Sequence, residues 1–158
     1  MKRLLLALLV LAGASPVLAA DQGNVYDKTW TSGHWAVIAT FMDKPRRVAA
    51  VLDRESIVTT ANDGREFNFV TISEGNALGT GIVGRVKIEC KTMVMASLGK
   101  TKYYGGEGDY STDDDIPPVA LKPDAAIYPA VRAACTGDLG KMLVIDGDEA
   151  TMRRETFP

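Results

Sequence analysis

Four groups of residues in this chain carry side chains or backbone suited to chemistry. The first is Gly79-Thr80-Gly81-Ile82-Val83-Gly84, which matches G-x-G-x-x-G letter for letter. That pattern binds a dinucleotide where it follows a strand and opens a helix whose N-terminus faces the pyrophosphate. Here the residues after it read as a strand, so a flexible glycine loop is expected instead. The second is His34, the one histidine of the chain. A triad needs its base beside a nucleophile, and zinc needs several nitrogen or sulfur ligands. No second ligand accompanies His34 in the sequence, and Trp30 and Trp35 beside it point to an aromatic cluster, packed or at the surface.

The third group is acidic. Asp109, Asp113, Asp114 and Asp115 are hard oxygen donors, but calcium loops space their ligands at alternate positions and add a carboxylate further on. Three consecutive aspartates do not fit that spacing, so a solvated loop is expected. Glycosidase chemistry needs two carboxylates at a set separation; Glu89 and Asp53 are nominees that nothing raises above the other acids. The fourth group is Tyr103, Tyr104 and Tyr110 around Gly105-Gly106-Glu107-Gly108. Tyrosine with flexible glycine makes adaptable recognition surfaces, because the ring offers a large contact area with few rotors. Tyr103, Tyr104, Glu107, Asp109 and Tyr110 form the candidate binding surface, with strand-end packing as the plain alternative. The residues supply no catalytic set, no metal ligand set and no cofactor motif, so the expectation is a protein that is not an enzyme and uses no cofactor or metal.

The elements that position these groups follow from periodicity. Trp35–Phe41 reads as a first strand, Arg47–Asp53 as a second, and Ser56–Thr60 leads to Asn62-Asp63-Gly64, a strong hairpin signal. Arg65–Ser73 returns with Phe67 and Phe69 on one face, and Glu74–Gly84 interrupts without periodicity. Val86, Ile88 and Cys90 then alternate with Lys87, Glu89 and Lys91, the pattern of a half-buried antiparallel strand. Met93–Leu98 continues or pairs with it, Gly99-Lys100 turns, and Lys102–Tyr104 starts another short strand. Gly105–Pro118 reads as a loop. Pro123 and Asp124 open a helix that runs to Cys135 and that Pro129 shortens or kinks; Gly137 stops it. Lys141–Ile145 suits a last strand and Asp148–Thr156 a frayed helix. Strands followed by a helix give an α+β fold: one small antiparallel sheet with a C-terminal helix packed on it.

Compartment follows from the N-terminus. Lys2 and Arg3 precede an apolar run from Leu4 to Leu11, and Gly13, Pro16 and small residues follow, as in a signal peptide cleaved after Ala19 or Ala20. The apolar run is too short to span a bilayer, which takes about 20 residues, and no cysteine follows it for a lipid anchor. Cleavage leaves 16 basic against 20 acidic side chains, a net charge of −4, which gives no support for nucleic acid as a partner. The expected product is periplasmic or secreted, without a membrane span, and divides into a signal peptide (1–20), a mobile lead-in (21–33), a domain (34–136) and a tail (137–158). In an oxidising compartment the two cysteines, Cys90 and Cys135, are expected to be bridged, which removes both as nucleophiles.

The order of features resembles the surface-adhesin protein E family of exported bacterial proteins. The resemblance rests on the tryptophan-led strand, the Asp53-to-Ile57 step, Ile88-Glu89-Cys90, the Tyr104-to-Tyr110 glycine loop and the proline-led helix ending in Cys135. It covers roughly residues 35–136 and implies a small sheet with a helix linked to it by the disulfide, and no enzymatic activity. Adhesion to host matrix proteins, known in that family, belongs to lipoproteins, and this chain lacks their lipid-attachment cysteine. The function expected is that of a non-catalytic envelope protein binding another macromolecule, from the envelope or a host, through loops at the sheet edge. The alternative is an inhibitor of an extracytoplasmic hydrolase such as lysozyme, with the acidic loop facing a basic target.

Overall fold

The computed structural model describes residues 33–105, 107–111 and 116–158. The expected signal peptide, the expected lead-in up to residue 32 with Trp30, and the aspartates 113–115 lie outside the described residues. The elements are β1 (His34–Asp43), β2 (Arg46–Thr59), β3 (Gly64–Ser73), β4 (Gly81–Glu89), β5 (Val94–Tyr104), β6 (Glu107–Ser111), β7 (Val119–Ala120), α1 (Tyr128–Thr136), β8 (Leu143–Asp146) and α2 (Glu149–Thr156). They form one antiparallel sheet in the order β6-β5-β4-β3-β2-β1-β8, with β7 on the far end of β5. An α+β fold of eight strands, two helices and one disulfide is thus in place.

Alternation along each strand divides the apolar residues between two faces. Ala36, Leu52, Phe67, Val86 and Ile88 share a buried cluster with Ala130, Val131, Ala133 and Ala134 of α1. Trp35, Val51, Val70, Ile72, Val83, Tyr103 and Ile145 share the other with Met152 of α2. Each face of this antiparallel sheet thus has part of its apolar residues in a buried cluster with residues of one short helix, and residues 137–158 supply the edge strand β8 as well as the second helix.

Several boundaries differ from the periodicity reading, each for a local reason. The second and third expected segments are one strand, β2, whose register with β3 shifts between Asp53 and Val58. Met93–Leu98 and Lys102–Tyr104 are likewise joined in β5, because Gly99 (φ 140°) takes up an irregularity opposite Arg85 and Val86 where a turn was expected. Gly81 and Gly84 belong to β4 rather than to the loop; Phe69 on β3 lies over Gly84, and a Cβ there would meet its ring at 2.5 Å. Cys90 follows the last residue of β4 instead of lying within it. The expected loop after Gly105 contains β6. Helix α1 starts at Tyr128, not Pro123, and Pro129 sits in its first turn, where the missing N–H costs no hydrogen bond. Gly137 ends it with φ 76°. The Asn62-Asp63 hairpin turn forms, with both residues at φ 60° and Thr59 paired with Arg65.

The bridge joins Cys90 to Cys135 with Cα atoms 5.6 Å apart, tying the end of β4 to the end of α1. Helix α2 is held differently. Asp148 caps it through a hydrogen bond accepted from the Thr151 N–H at 2.8 Å. Its Glu149 and Arg153 form an ion pair at 2.7 Å with side chains only 7% and 10% exposed.

Candidate functional site

The candidate surface is built on the β5–β6 hairpin. Register pairs Tyr104 with Glu107, Lys102 with Asp109 and Lys100 with Ser111, and opposite residues of an antiparallel pair share a face. Tyr104, Lys102, Glu107 and Asp109 thus stand together, and β4 adds Ile82 opposite Lys102. This is the face of the sheet that carries α1, but the helix covers only the Leu52–Phe67–Ile88 end. Toward the hairpin Tyr104 is 68% exposed, Ile82 37%, and Lys102, Glu107 and Asp109 are exposed. The same alternation removes Tyr103: it points to the other face and is buried in the Trp35 cluster at 2% exposure. Two consecutive tyrosines therefore have opposite fates, one in the core and one in solvent. Gly105 makes the turn with φ +62°, and its N–H donates to the Thr80 hydroxyl at 3.3 Å. Tyr110 lies on β6 opposite Thr101.

The glycine motif is not a phosphate cradle. Glu149 sets both carboxylate oxygens against the Gly79 N–H, at 3.0 and 2.8 Å, so an internal anion already sits where a phosphate would. Arg153, paired with that carboxylate, donates to the carbonyls of Ser73 and Thr80 at 3.3 and 2.6 Å. The segment opens a strand, and its expected flexibility is replaced by a polar staple between α2 and the β3–β4 connection. Sequence reasoning missed this staple; the i, i+4 spacing of Glu149 and Arg153 was its only trace.

His34 stands between two acidic side chains, and Trp30, its other expected neighbour, lies outside the described residues. Its Nδ1 lies 2.8 Å from Asp146 and its Nε2 3.1 Å from Glu55, while Trp35 is buried on the sheet with its indole N–H donating to the Gly147 carbonyl. The two carboxylates approach opposite sides of the ring, so the three groups cannot converge on one ion. Among the described residues no group of three or more metal-ligating side chains occurs. Asp53 and Glu89 are not brought together either. Asp53 is buried and accepts from the Glu55 N–H, whereas Glu89 is exposed and accepts from the Thr92 hydroxyl. Their partners on β3, Asn68 and Gly64, lie four residues apart.

Around the sheet, exposed carboxylates are matched by cations. Glu74 is held below the ordinary carboxylate range chiefly by its hydrogen bonds from Arg47, which in turn lies over the Phe157 ring at 5.6 Å. Asp63 is lowered by its hydrogen bond from Lys91. The arrangement can recognise a surface through Tyr104 and the charges beside it, and among the described residues no helix is long and apolar enough to cross a membrane. Compared with known protein families, curated proteins and solved structures, the chain matches none.

Proposed function

We propose that this is an exported, non-catalytic envelope protein that binds another macromolecule on the open half of its sheet. The observation that carries the reading is the clustering of Tyr104, Lys102, Glu107, Asp109 and Ile82 on sheet surface that α1 leaves uncovered. A rigid strand pair presents these groups with little ordering cost on binding, and an exposed tyrosine among charges is the residue type that dominates interface energies. The disulfide and the charge of the chain after signal cleavage fit a periplasmic or secreted product without a lipid anchor. The resemblance to the surface-adhesin protein E family supports binding as the activity, without naming the ligand.

Immobilised protein incubated with periplasmic and extracellular-matrix extracts is expected to retain a saturable partner. Tyr104→Ala is expected to weaken that retention at least about tenfold, or 1.4 kcal/mol. Recovery of no saturable partner, or equal retention by the variant, overturns the reading. The exposed acids Glu107 and Asp109 on a rigid hairpin also suit an inhibitor of a basic extracytoplasmic hydrolase; titration into lysozyme without loss of lytic rate removes that second reading.

A further inference from the structure

The opposite edge of the sheet carries a different surface. Strand β1 runs from His34 to Asp43, but its outer neighbour β8 pairs only with His34–Val37. From Ile38 to Asp43 no described strand lies on its outer side, and Phe41 and Met42 on this stretch are 50% and 62% exposed. Natural sheets protect a free edge with charge, proline or a covering element; among the described residues no element covers this one over about 20 Å, at 3.3 Å per residue. Where β8 ends, a cavity of about 650 Å³ opens against the edge, walled by Ile38, Tyr128, Pro129, Leu139 and Met142, with Lys141 also lining it. It wraps around the edge, since Val37 and Thr156 from the α2 side line it too. A strand added here would send alternate side chains into the two halves of that cavity.

Direction and charge identify the occupant. A segment in the lane of β8 and antiparallel to β1, as β8 is, would run from beside Asp43 to beside Ile38 and end against Leu139–Met142. Two cations line the cavity at that end. Arg132 is held by Asp138 at 2.7 Å, whereas Lys141 has no carboxylate within ion-pair distance among the described residues. The end of an antiparallel segment that reaches Lys141 is its C-terminus, the end that carries a carboxylate. A second copy of β1 fits less well: it would not end there but continue through Lys44, Arg46 and Arg47, bringing cations toward Lys141.

We propose that this groove is a docking site for the free C-terminal end of an extended, apolar-ended polypeptide, added antiparallel to β1 with its terminal carboxylate on Lys141. Main-chain hydrogen bonds to the edge would supply affinity, and the cavity would select the last side chains, as in strand-addition complexes generally. The groove lies five strands away from the Tyr104 surface, roughly 24 Å at 4.8 Å per strand, and stands whether or not that surface binds.

A random octapeptide library with free C-termini, screened on the full chain beside the same library amidated at the C-terminus, tests it. Enrichment of free-acid peptides with apolar last residues is expected, and synthesised winners should lose at least about tenfold in affinity on amidation or against Lys141→Glu, about 1.4 kcal/mol. Lys141 is exposed, so the variant keeps its fold, which circular dichroism checks. Equal enrichment of both libraries, or winners indifferent to Lys141→Glu, overturns the proposal. So does a concentration-dependent dimer in sedimentation that Phe41→Lys dissolves, because the edge would then belong to a second copy.

Discussion

The two helices contribute to buried clusters on opposite faces of one sheet and are fastened by opposite chemistry. Helix α1 meets its face with Ala130, Val131, Ala133 and Ala134, small side chains that contribute little buried area each, and a covalent bridge ties its end to β4. Helix α2 presents one large buried apolar residue, Met152, and is fastened by a charged network reaching the Gly79 loop. A short helix in isolation is marginal, so each needs something beyond its apolar stripe. One draws on chain entropy, the other on buried electrostatics, and the two should fail differently.

Removing the bridge is the largest expected perturbation. Cys90 and Cys135 are 45 residues apart in sequence, and opening a loop of that length relaxes the unfolded chain by about 4 kcal/mol in the chain-entropy model. Urea unfolding of Cys90→Ser/Cys135→Ser should show a loss of that order. A loss below about 1 kcal/mol would mean that α1 is held by its alanine contacts alone.

Glu149→Ala comes next, at roughly 3 kcal/mol, because it strands the guanidinium of a largely buried pair and leaves the Gly79 N–H without its acceptor. The double variant Glu149→Ala/Arg153→Met sharpens the comparison. If the pair acts as a unit, the second substitution should recover part of the loss, since the stranded charge is gone. If the two costs simply add, the network is not what fastens α2.

These two fastenings also differ in how far they can be read from sequence. The cysteines announce themselves, since an N-terminus that reads as an export signal and an even count suffice to expect a bridge. Alternation likewise exposes β1, β3 and most of β4, because a half-buried strand must repeat every two residues. Glu149 and Arg153 sit in a stretch whose composition is that of a solvated helix, and only the fold shows that the β3–β4 connection folds over them. The split between Tyr103 and Tyr104 needed only the period of the strand, yet a tyrosine pair at the start of a glycine loop reads as one recognition surface until Thr101 and Tyr103 are seen to share the core face. The cavity at Lys141 was beyond sequence altogether, for it exists because β8 stops at Leu143 while β1 continues.

A third perturbation acts on neither helix and calibrates both. Gly84→Ala places a methyl group within 3 Å of the Phe69 ring, which is itself pinned at the α1 cluster. The cost expected is about 1–3 kcal/mol from overpacking. Thermal unfolding with Phe69→Leu in the same chain should recover part of it, because a smaller side chain yields the space; no recovery would place the strain in the backbone of β4 instead.

The smallest effect is a dependence on pH that only the α2 side should show. The Asp148 carboxyl is held below its ordinary 3.8 chiefly by the backbone N–H of Thr151, with the Thr151 side chain next. A carboxyl lowered in the folded state prefers to be ionised there, so its contribution is complete above the unfolded value and lost as pH falls through the folded one. Asp148→Asn keeps an acceptor at the cap but does not titrate. The gap in melting temperature between the two proteins should therefore be constant near neutrality and close as the pH falls through the ordinary carboxylate range and below it. Glu74 and Asp63 are lowered with the same sign by Arg47 and Lys91, but both proteins share them, so they cancel in the difference. A gap that stays the same over this range would show that the cap acts as a neutral acceptor, and that the charge fastening α2 resides in Glu149 and Arg153 alone.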